Sequence, residues 1–178
     1  HILHVRTGLF FFFFFDELKM IIGITGTLGA GKTTIVDYLE KKGFRHYSVR
    51  QFLIEEIKRR DMPVNRDSMV IVANDLREKH GPGYIVEQLY EKAKGEDTII
   101  ESIRAIGEVK SLKGKENFIL LSVDADKRTR YDRIVSRKSE TDQISFDEFI
   151  SNEEREMQSD DPSKQNIRYC IDNADYHI

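Results

Sequence analysis

The sequence predicts an α/β fold in which a five-stranded parallel sheet lies between two layers of helices. Short apolar runs alternate with stretches of helical periodicity, and this alternation is typical of parallel sheets whose crossover connections are helices. The first apolar run, 20–25, leads through a glycine-rich segment directly into a helical pattern. At 178 residues the chain is long enough for one domain with a substantial core.

The strands are predicted at 20–25, 45–49, 98–102, 118–123 and 174–178. The fourth run, Phe-Ile-Leu-Leu-Ser-Val, is apolar along nearly its whole length, as expected for a strand covered on both faces. Ligands of such sheets bind at the carboxyl ends of the strands. Residues that directly follow a strand are therefore the first candidates for a functional site.

The helices are predicted at 34–42, 51–60, 67–79, 84–93, 108–113, 126–136, 145–159 and 163–173. In the first of them Ile35, Val36 and Leu39 share one face, and Gly43 ends the helix. A capping box, Ser-Phe-Asp-Glu, begins the helix at 145, and an Asp-Asp-Pro segment ends it.

The glycine-rich segment 26–33 fits the phosphate-binding pattern G-x-x-x-x-G-K-[ST]. Its glycines allow successive backbone N–H groups to point inward at the positive end of the following helix. Lys32 can reach β- and γ-phosphate oxygens, and the Thr33 hydroxyl can bind Mg²⁺. The predicted ATP-binding residues of this segment are Gly26, Thr27, Leu28, Gly29, Ala30, Gly31, Lys32, Thr33 and Thr34.

Further candidates follow the second and third strands. Glu101 closes the third strand, where an acidic group helps to hold Mg²⁺, and Arg104 lies just beyond it, placed to grip an acceptor phosphate. Arg50 follows the second strand, and Arg77 precedes a turn at His80-Gly81. We predict acceptor binding by Arg50, Arg77 and Arg104, although each is also compatible with a solvated surface charge. His46 is interpreted as a half-buried strand residue.

The helix at 126–136 is strongly basic, and Arg130, Arg133 and Arg137 recur at helical spacing along it and at its end. A triphosphate would balance this charge, because cations stabilise the transferring phosphoryl group. The alternative is pairing with the acidic stretch that follows, which contains Glu140, Asp142, Asp147, Glu148, Glu153 and Glu154. Both interpretations are compatible if the acids pair with the arginines in an open state and a bound nucleotide replaces the acids on closure. Residues 137–145 would then form a mobile lid.

Several of these segments resemble the nucleoside monophosphate kinases and dephospho-CoA kinases, a group of P-loop kinases. The similar segments are 23–26, 101–104, 123–126 and Arg133-x-x-x-Arg137, and the resemblance covers 20–178. It implies a five-stranded sheet, an acceptor-binding region over 50–94 and an arginine-bearing lid over 128–145. It also implies ATP and Mg²⁺ as cofactors. Lys32, Thr33, Arg133 and Arg137 then act in donor binding and transfer, and Arg104 acts on the acceptor.

One departure from the resemblance concerns the acceptor. Dephospho-CoA kinases carry an aspartate after the second strand as a base, whereas this chain has Ser48-Val49-Arg50. A phosphate acceptor needs cations rather than a base, so we rank a nucleoside monophosphate above dephospho-CoA. The chain also resembles P-loop domains joined to deoxycytidylate deaminases. A nucleotide-binding regulatory domain with a deaminase partner, as monomer or dimer, therefore stays open.

Composition excludes other classes of function. The net charge of −3 argues against nucleic-acid binding, and the single cysteine, Cys170, excludes a disulfide within the chain and fits a cytoplasmic setting. The phenylalanine run at 10–15 is too short to span a membrane. We interpret 1–19 as a non-native or disordered extension and 20–178 as the kinase domain.

Overall fold

The computed structural model describes residues 19–137, 144–161 and 163–178. Nearly all of the predicted extension, residues 1–18, lies outside the described residues, as does the 138–143 part of the predicted lid. In the described part of the chain, no helix is long and apolar enough to cross a bilayer.

Five strands form one sheet within the described ranges, and every neighbouring pair is parallel. The order across the sheet is β2-β3-β1-β4-β5. This confirms the predicted parallel sheet, with β1 at its centre. The strands are β1 (Ile21–Thr25), β2 (Arg45–Ser48), β3 (Thr98–Glu101), β4 (Phe118–Ser122) and β5 (Tyr176–His177).

Eight helices are present in the part of the chain that the structure describes, and they lie close to the predicted positions. They are α1 (Lys32–Glu40), α2 (Val49–Arg59), α3 (Arg66–His80), α4 (Tyr84–Ala93), α5 (Ile106–Lys113), α6 (Lys127–Ser136), α7 (Phe146–Met157) and α8 (Ile167–Asp172).

The last helix is shorter than the predicted 163–173. Asn166 caps it by accepting a hydrogen bond from the Tyr169 N–H, so the helix begins at Ile167. The residue before the cap, Gln165, forms a bridge with Ala105, and the Asn166 N–H donates to the Arg104 carbonyl. Contacts with the segment after β3 therefore hold residues 165–166 out of the helix.

Alternate side chains of the central strand enter two apolar layers, as expected for a strand buried on both faces. Ile21 joins the larger layer with residues of α2, α3, α4 and α5. Ile22 and Ile24 join the smaller layer, where Val36 of α1 packs. This packing fixes α1 against the sheet directly after the glycine-rich loop.

The parallel register brings the strand ends to one edge of the sheet. Ile24 of β1 is paired with Glu101 of β3, and Ser48 of β2 is paired with the same residue. Thr25 is paired with Ser122 of β4 on the other side. Glu101 therefore lies between two segments, the loop after β1 and the start of α2.

A stability prediction follows from the contact between α5 and the turn before α4. A Cβ atom at Gly107 would lie 2.4 Å from Cβ of Pro82. Helix propensity alone would make Gly107→Ala stabilising, but this ring cannot move aside. We expect Gly107→Ala to lower the free energy of unfolding by about 1–3 kcal/mol, measured by urea denaturation.

Gly114→Ala is the matched control, since Gly114 ends the same helix with φ −81° and no atom lies within 4 Å of its added Cβ. We expect this variant to stay within about 0.5 kcal/mol of wild type. A Gly107→Ala protein more stable than wild type would contradict the packing described.

Candidate nucleotide-binding site

The glycine-rich loop follows β1 and packs tightly against the segment after β4 and against α6. Gly26 and Gly29 have φ values of 131° and 78°, which side chains rarely allow. A Cβ at Gly26 would lie 2.0 Å from the Val123 carbonyl oxygen, and one at Gly29 would lie 2.6 Å from that of Arg130. Glycine is therefore required sterically at both positions.

The amino end of α1 opens from this loop. Gly31 is the N-cap residue, in the left-handed conformation, and among the described residues no side chain caps the helix. The first N–H groups of a helix have no acceptor within it, and the helix dipole adds a partial positive charge there. This arrangement is suited to binding an anion such as a phosphate group.

Lys32 is folded back over the loop. Its Nζ donates hydrogen bonds to the carbonyl oxygens of Thr27 at 2.6 Å and Gly26 at 3.0 Å. Burial, followed by the positive charge of Arg104, lowers the pKa of Lys32 from 10.5 to about 8, with Glu101 acting in the opposite direction. The ammonium is therefore poorly compensated, and a bound phosphate would stabilise its charge.

Asp124, after β4, holds the loop from the far side. Its Oδ1 accepts from the Thr27 hydroxyl at 2.6 Å and lies 3.4 Å from Nε of Arg130. Sequence reasoning assigned no role to this residue, although it lies in the segment 123–126 that carried the resemblance. Its position after a strand is the signal that would have selected it.

The three arginines that were predicted to share a face of α6 and its end have different surroundings. Arg133 reaches the loop, where its Nη1 donates to the carbonyl oxygens of Ala30 at 3.1 Å and Gly29 at 3.3 Å. Arg130 is only 2% exposed, and its guanidinium donates to the Glu153 carboxylate of α7. Arg137 follows α6 and is exposed, and its charge contributes to lowering the pKa of Lys32.

The pairing of Arg130 bears on its predicted contact with ATP. Its Nε also donates to the Ala125 carbonyl at 2.8 Å, and its guanidinium lies over the Phe149 ring. A contact with ATP would require the guanidinium to leave Glu153. Pairing with acids, the alternative derived from the sequence, describes Arg130 in this structure.

Glu101 ends β3 beside the loop and faces His46 of β2, whose Nε2 lies 3.5 Å from its carboxylate. Burial would raise the pKa of Glu101, but the hydrogen bond and charge of His46, together with Lys32, hold it below its ordinary value. The hydrogen bond with Glu101 raises the pKa of His46, with burial opposing. His46 as a whole residue is exposed, although its side chain is only 28% exposed, so the predicted half-burial holds for the side chain alone. Its contact with Glu101 was not foreseen.

A cavity of about 520 Å³ opens beside this pair, at the carboxyl ends of β2 and β3. Arg50 lies in its wall, as the prediction of an acceptor contact requires. Residues of β2, α2, α4 and β3 form the rest, among them His46, Phe52, Glu55, Lys92 and Glu101. The volume lies within the range of small-molecule sites.

Arg104 and Arg77 were both predicted to bind the acceptor. The charge of Arg104 contributes to lowering the pKa of Lys32, and its Nη1 donates to Glu156 of α7 at 3.1 Å. Arg77 is 8% exposed, and its Nη2 donates to the buried carboxylate of Glu108 at 2.8 Å. Burial and this pairing do not support the predicted acceptor contact for Arg77.

The residues present fit MgATP. The uncapped amino end of α1, Lys32 and Arg133 supply donors for a polyphosphate. Thr33 is exposed in the first turn of α1, and Glu101 lies near Lys32, so a hydroxyl and a carboxylate are available as the hard oxygen ligands that Mg²⁺ prefers. When bound, the metal would neutralise charge on the transferring phosphoryl group.

A family model described as "AAA domain" matches residues 22–159. A UPF0200 protein of Methanococcus maripaludis strain C7 is 32% identical over 77% of this chain and 78% of its own length. The chain belongs to the AAA domain family and to the UPF0200 proteins. A further UPF0200 protein, from Pyrobaculum aerophilum, is 29% identical over 77% of each chain.

Solved structures place this UPF0200 protein in a P-loop kinase-like fold. TT1252 from Thermus thermophilus has a TM-score of 0.57 and 17% identity, covering 90% of this chain and 88% of that one. Shikimate kinase from Acinetobacter baumannii has a TM-score of 0.53 and 17% identity, covering 92% and 84%. At this identity the likeness shows the fold alone. The specific kinase families that the sequence resembles stay a prediction.

The buried ammonium of Lys32 predicts a pH dependence in the ATP-free protein. Because its folded-state pKa is depressed, the unfolded chain binds the extra proton between pH 8 and 10.5, and stability rises with pH across that window. Across this window we expect the free energy of unfolding of wild type to rise by on the order of 3 kcal/mol relative to that of Lys32→Met. Urea denaturation at pH 7 to 10.5 measures this difference, and a constant difference would contradict it.

Proposed function

We propose that this UPF0200 protein transfers the γ-phosphoryl group of MgATP to a small nucleotide, and that a (deoxy)nucleoside monophosphate is the acceptor. The observation that supports this most is the uncapped, cation-flanked amino end of α1 beside a cavity at the neighbouring strand ends. One site suits a polyphosphate, and the other is large enough for a second small molecule. Two adjacent sites are what transfer between two substrates requires.

The donor end of the site would work by charge and position. Lys32, released from the Gly26 and Thr27 carbonyls, would bind the β- and γ-phosphates together with the loop N–H groups. Arg133 already contacts the loop carbonyls and would stabilise charge on the transferring group, with Arg137 nearby. Little covalent chemistry is needed from the protein, because positioning and electrostatic stabilisation lower the barrier.

A phosphate acceptor suits the cations on the other side. Arg50 lies in the cavity wall, and Arg104 lies near Lys32. The acceptor phosphate is already ionised near neutral pH, so it needs neutralisation and alignment rather than proton removal. We assign that task to Arg104 and Arg50, and we assign Mg²⁺ binding to Thr33 and Glu101.

A hydroxyl acceptor, as in a dephospho-CoA kinase-like reaction, is a second candidate. The observation that favours it is Glu101, which lies in the cavity wall, is held ionised and faces His46. No acidic residue directly follows β2 to accept the proton of a hydroxyl acceptor. A carboxylate at the position of Glu101 could accept it instead. In that reaction Glu101 would act as the base.

A panel of acceptors separates these possibilities. We expect acceptor-dependent ADP formation with MgATP and at least one of CMP, dCMP, UMP and AMP, and lower turnover with dephospho-CoA. ADP formation is followed by a coupled assay, with MgATP alone as background. Preference for dephospho-CoA would favour the hydroxyl acceptor. Tight ATP binding without turnover on any acceptor would overturn the proposal in favour of a regulatory domain that partners a deaminase.

Arg133 is predicted to act in transfer rather than in folding. Arg133→Ala removes a cation that contacts the loop, so we expect kcat to fall by about 10²–10³-fold with the melting temperature little changed. Arg128→Ala is the matched control, because Arg128 lies on the same helix, is exposed and pairs with Asp132 one turn away. Equal rates for the two variants would contradict the role of Arg133.

A further inference from the structure

The turn between β3 and α5 carries Arg104 into the site. Its first residue, Ser102, has φ 72°, a left-handed conformation in a residue other than glycine. Such strain persists only where surrounding contacts fix the backbone, and it is frequent at functional sites. The contacts that fix this turn are therefore relevant to where Arg104 lies.

Part of the turn is attached to β1. The Ile103 N–H donates to the Ile24 carbonyl at 3.3 Å, and the buried Thr25 hydroxyl donates to the Ile103 carbonyl at 2.8 Å. These bonds hold the turn to the strand that precedes the glycine-rich loop. They leave the next two N–H groups, those of Arg104 and Ala105, to another partner.

That partner is Glu108, a residue that is 0% exposed. Its Oε2 accepts from the N–H groups of Arg104 at 2.9 Å and Ala105 at 3.1 Å. Its Oε1 accepts from Nη2 of Arg77 at 2.8 Å. A buried carboxylate needs such donors, and the only charged one among them is Arg77.

Arg77 comes from α3 and is itself buried. Its Nε has no hydrogen-bond partner among the residues that the structure describes. A buried guanidinium with an unpaired nitrogen is unfavourable, so its position depends on the ion pair with Glu108. The pair joins α3 to the turn that carries Arg104.

We propose that Glu108 and Arg77 are positioning residues that fix the backbone of Arg104 for phosphoryl transfer, without touching either substrate. The role of Arg104 on the acceptor rests on the proposed function. The arrangement of the turn does not, since it stands on the contacts of Glu108. Arg77 therefore acts on the reaction only through Glu108 and Arg104.

A double-mutant cycle tests this role. We expect Arg77→Met to lower kcat/KM for the acceptor by about 10–100-fold, as misplacement of a positioning group does, with the KM for ATP within about twofold. In an Arg104→Ala background the same change should alter kcat/KM by less than about twofold, because the side chain through which Arg77 acts is already absent. Equal effects in both backgrounds would overturn the proposal.

The controls separate positioning from general stability. Arg60→Met removes other ion pairs, those of Arg60 at the end of α2 with Asp75 of α3 and with Glu56. Among the described residues, Arg60 forms no ion pair with the turn. We expect Arg60→Met to lower the melting temperature without changing acceptor kinetics. Arg77→Lys keeps the buried charge and should recover part of the rate. If Arg60→Met lowered kcat/KM for the acceptor as much as Arg77→Met does, the positioning role would be contradicted.

Hydrogen exchange tests the turn even if no acceptor is turned over. We expect Arg77→Met and Glu108→Gln to speed exchange of the Arg104 and Ala105 amides by about tenfold or more, relative to amides of β1. Unchanged exchange would overturn the positioning role. Absence of transfer in wild type, with this change in exchange present, would overturn only the proposed function.

Discussion

The positive charge gathered around the amino end of α1 is the electrostatic constraint on which the site depends. Burial lowers the pKa of Lys32 to about 8, and the positive charges of Arg104, Arg137 and Arg130 contribute to the same shift. The helix dipole adds to the same charge. Such a concentration is stable only if anions balance it, whether they come from the protein or from a ligand.

The protein supplies two of these anions from a single helix, α7. Glu153 and Glu156 lie three residues apart on α7 and therefore share a face. The first binds Arg130 and the second binds Arg104. One helix thus holds an arginine from each side of the loop, and it follows the segment 138–143 in the chain.

The sheet determines which groups share this environment. Because all its strands are parallel, their carboxyl ends meet at one edge, and β1 at the centre brings the loop between β3 and β4. Glu101 ends β3 beside the last residues of β1, and Asp124 accepts from the Thr27 hydroxyl of the loop. Residues far apart in the chain therefore form one site without any long connecting loop.

The sequence by itself determined the local features. Apolar runs and helical periodicity located the strands and most helix limits, and the glycine pattern located the loop, because strand burial, helix faces and left-handed glycines are properties of neighbouring residues. Only the tertiary structure decided which charges pair. In the sequence, nothing distinguishes Arg77 and Arg130 from arginines that face solvent. In the structure both are buried, and they pair with Glu108 and Glu153, which lie 31 and 23 residues away. A side chain's burial and partner depend on contacts between distant segments, and no local pattern specifies these.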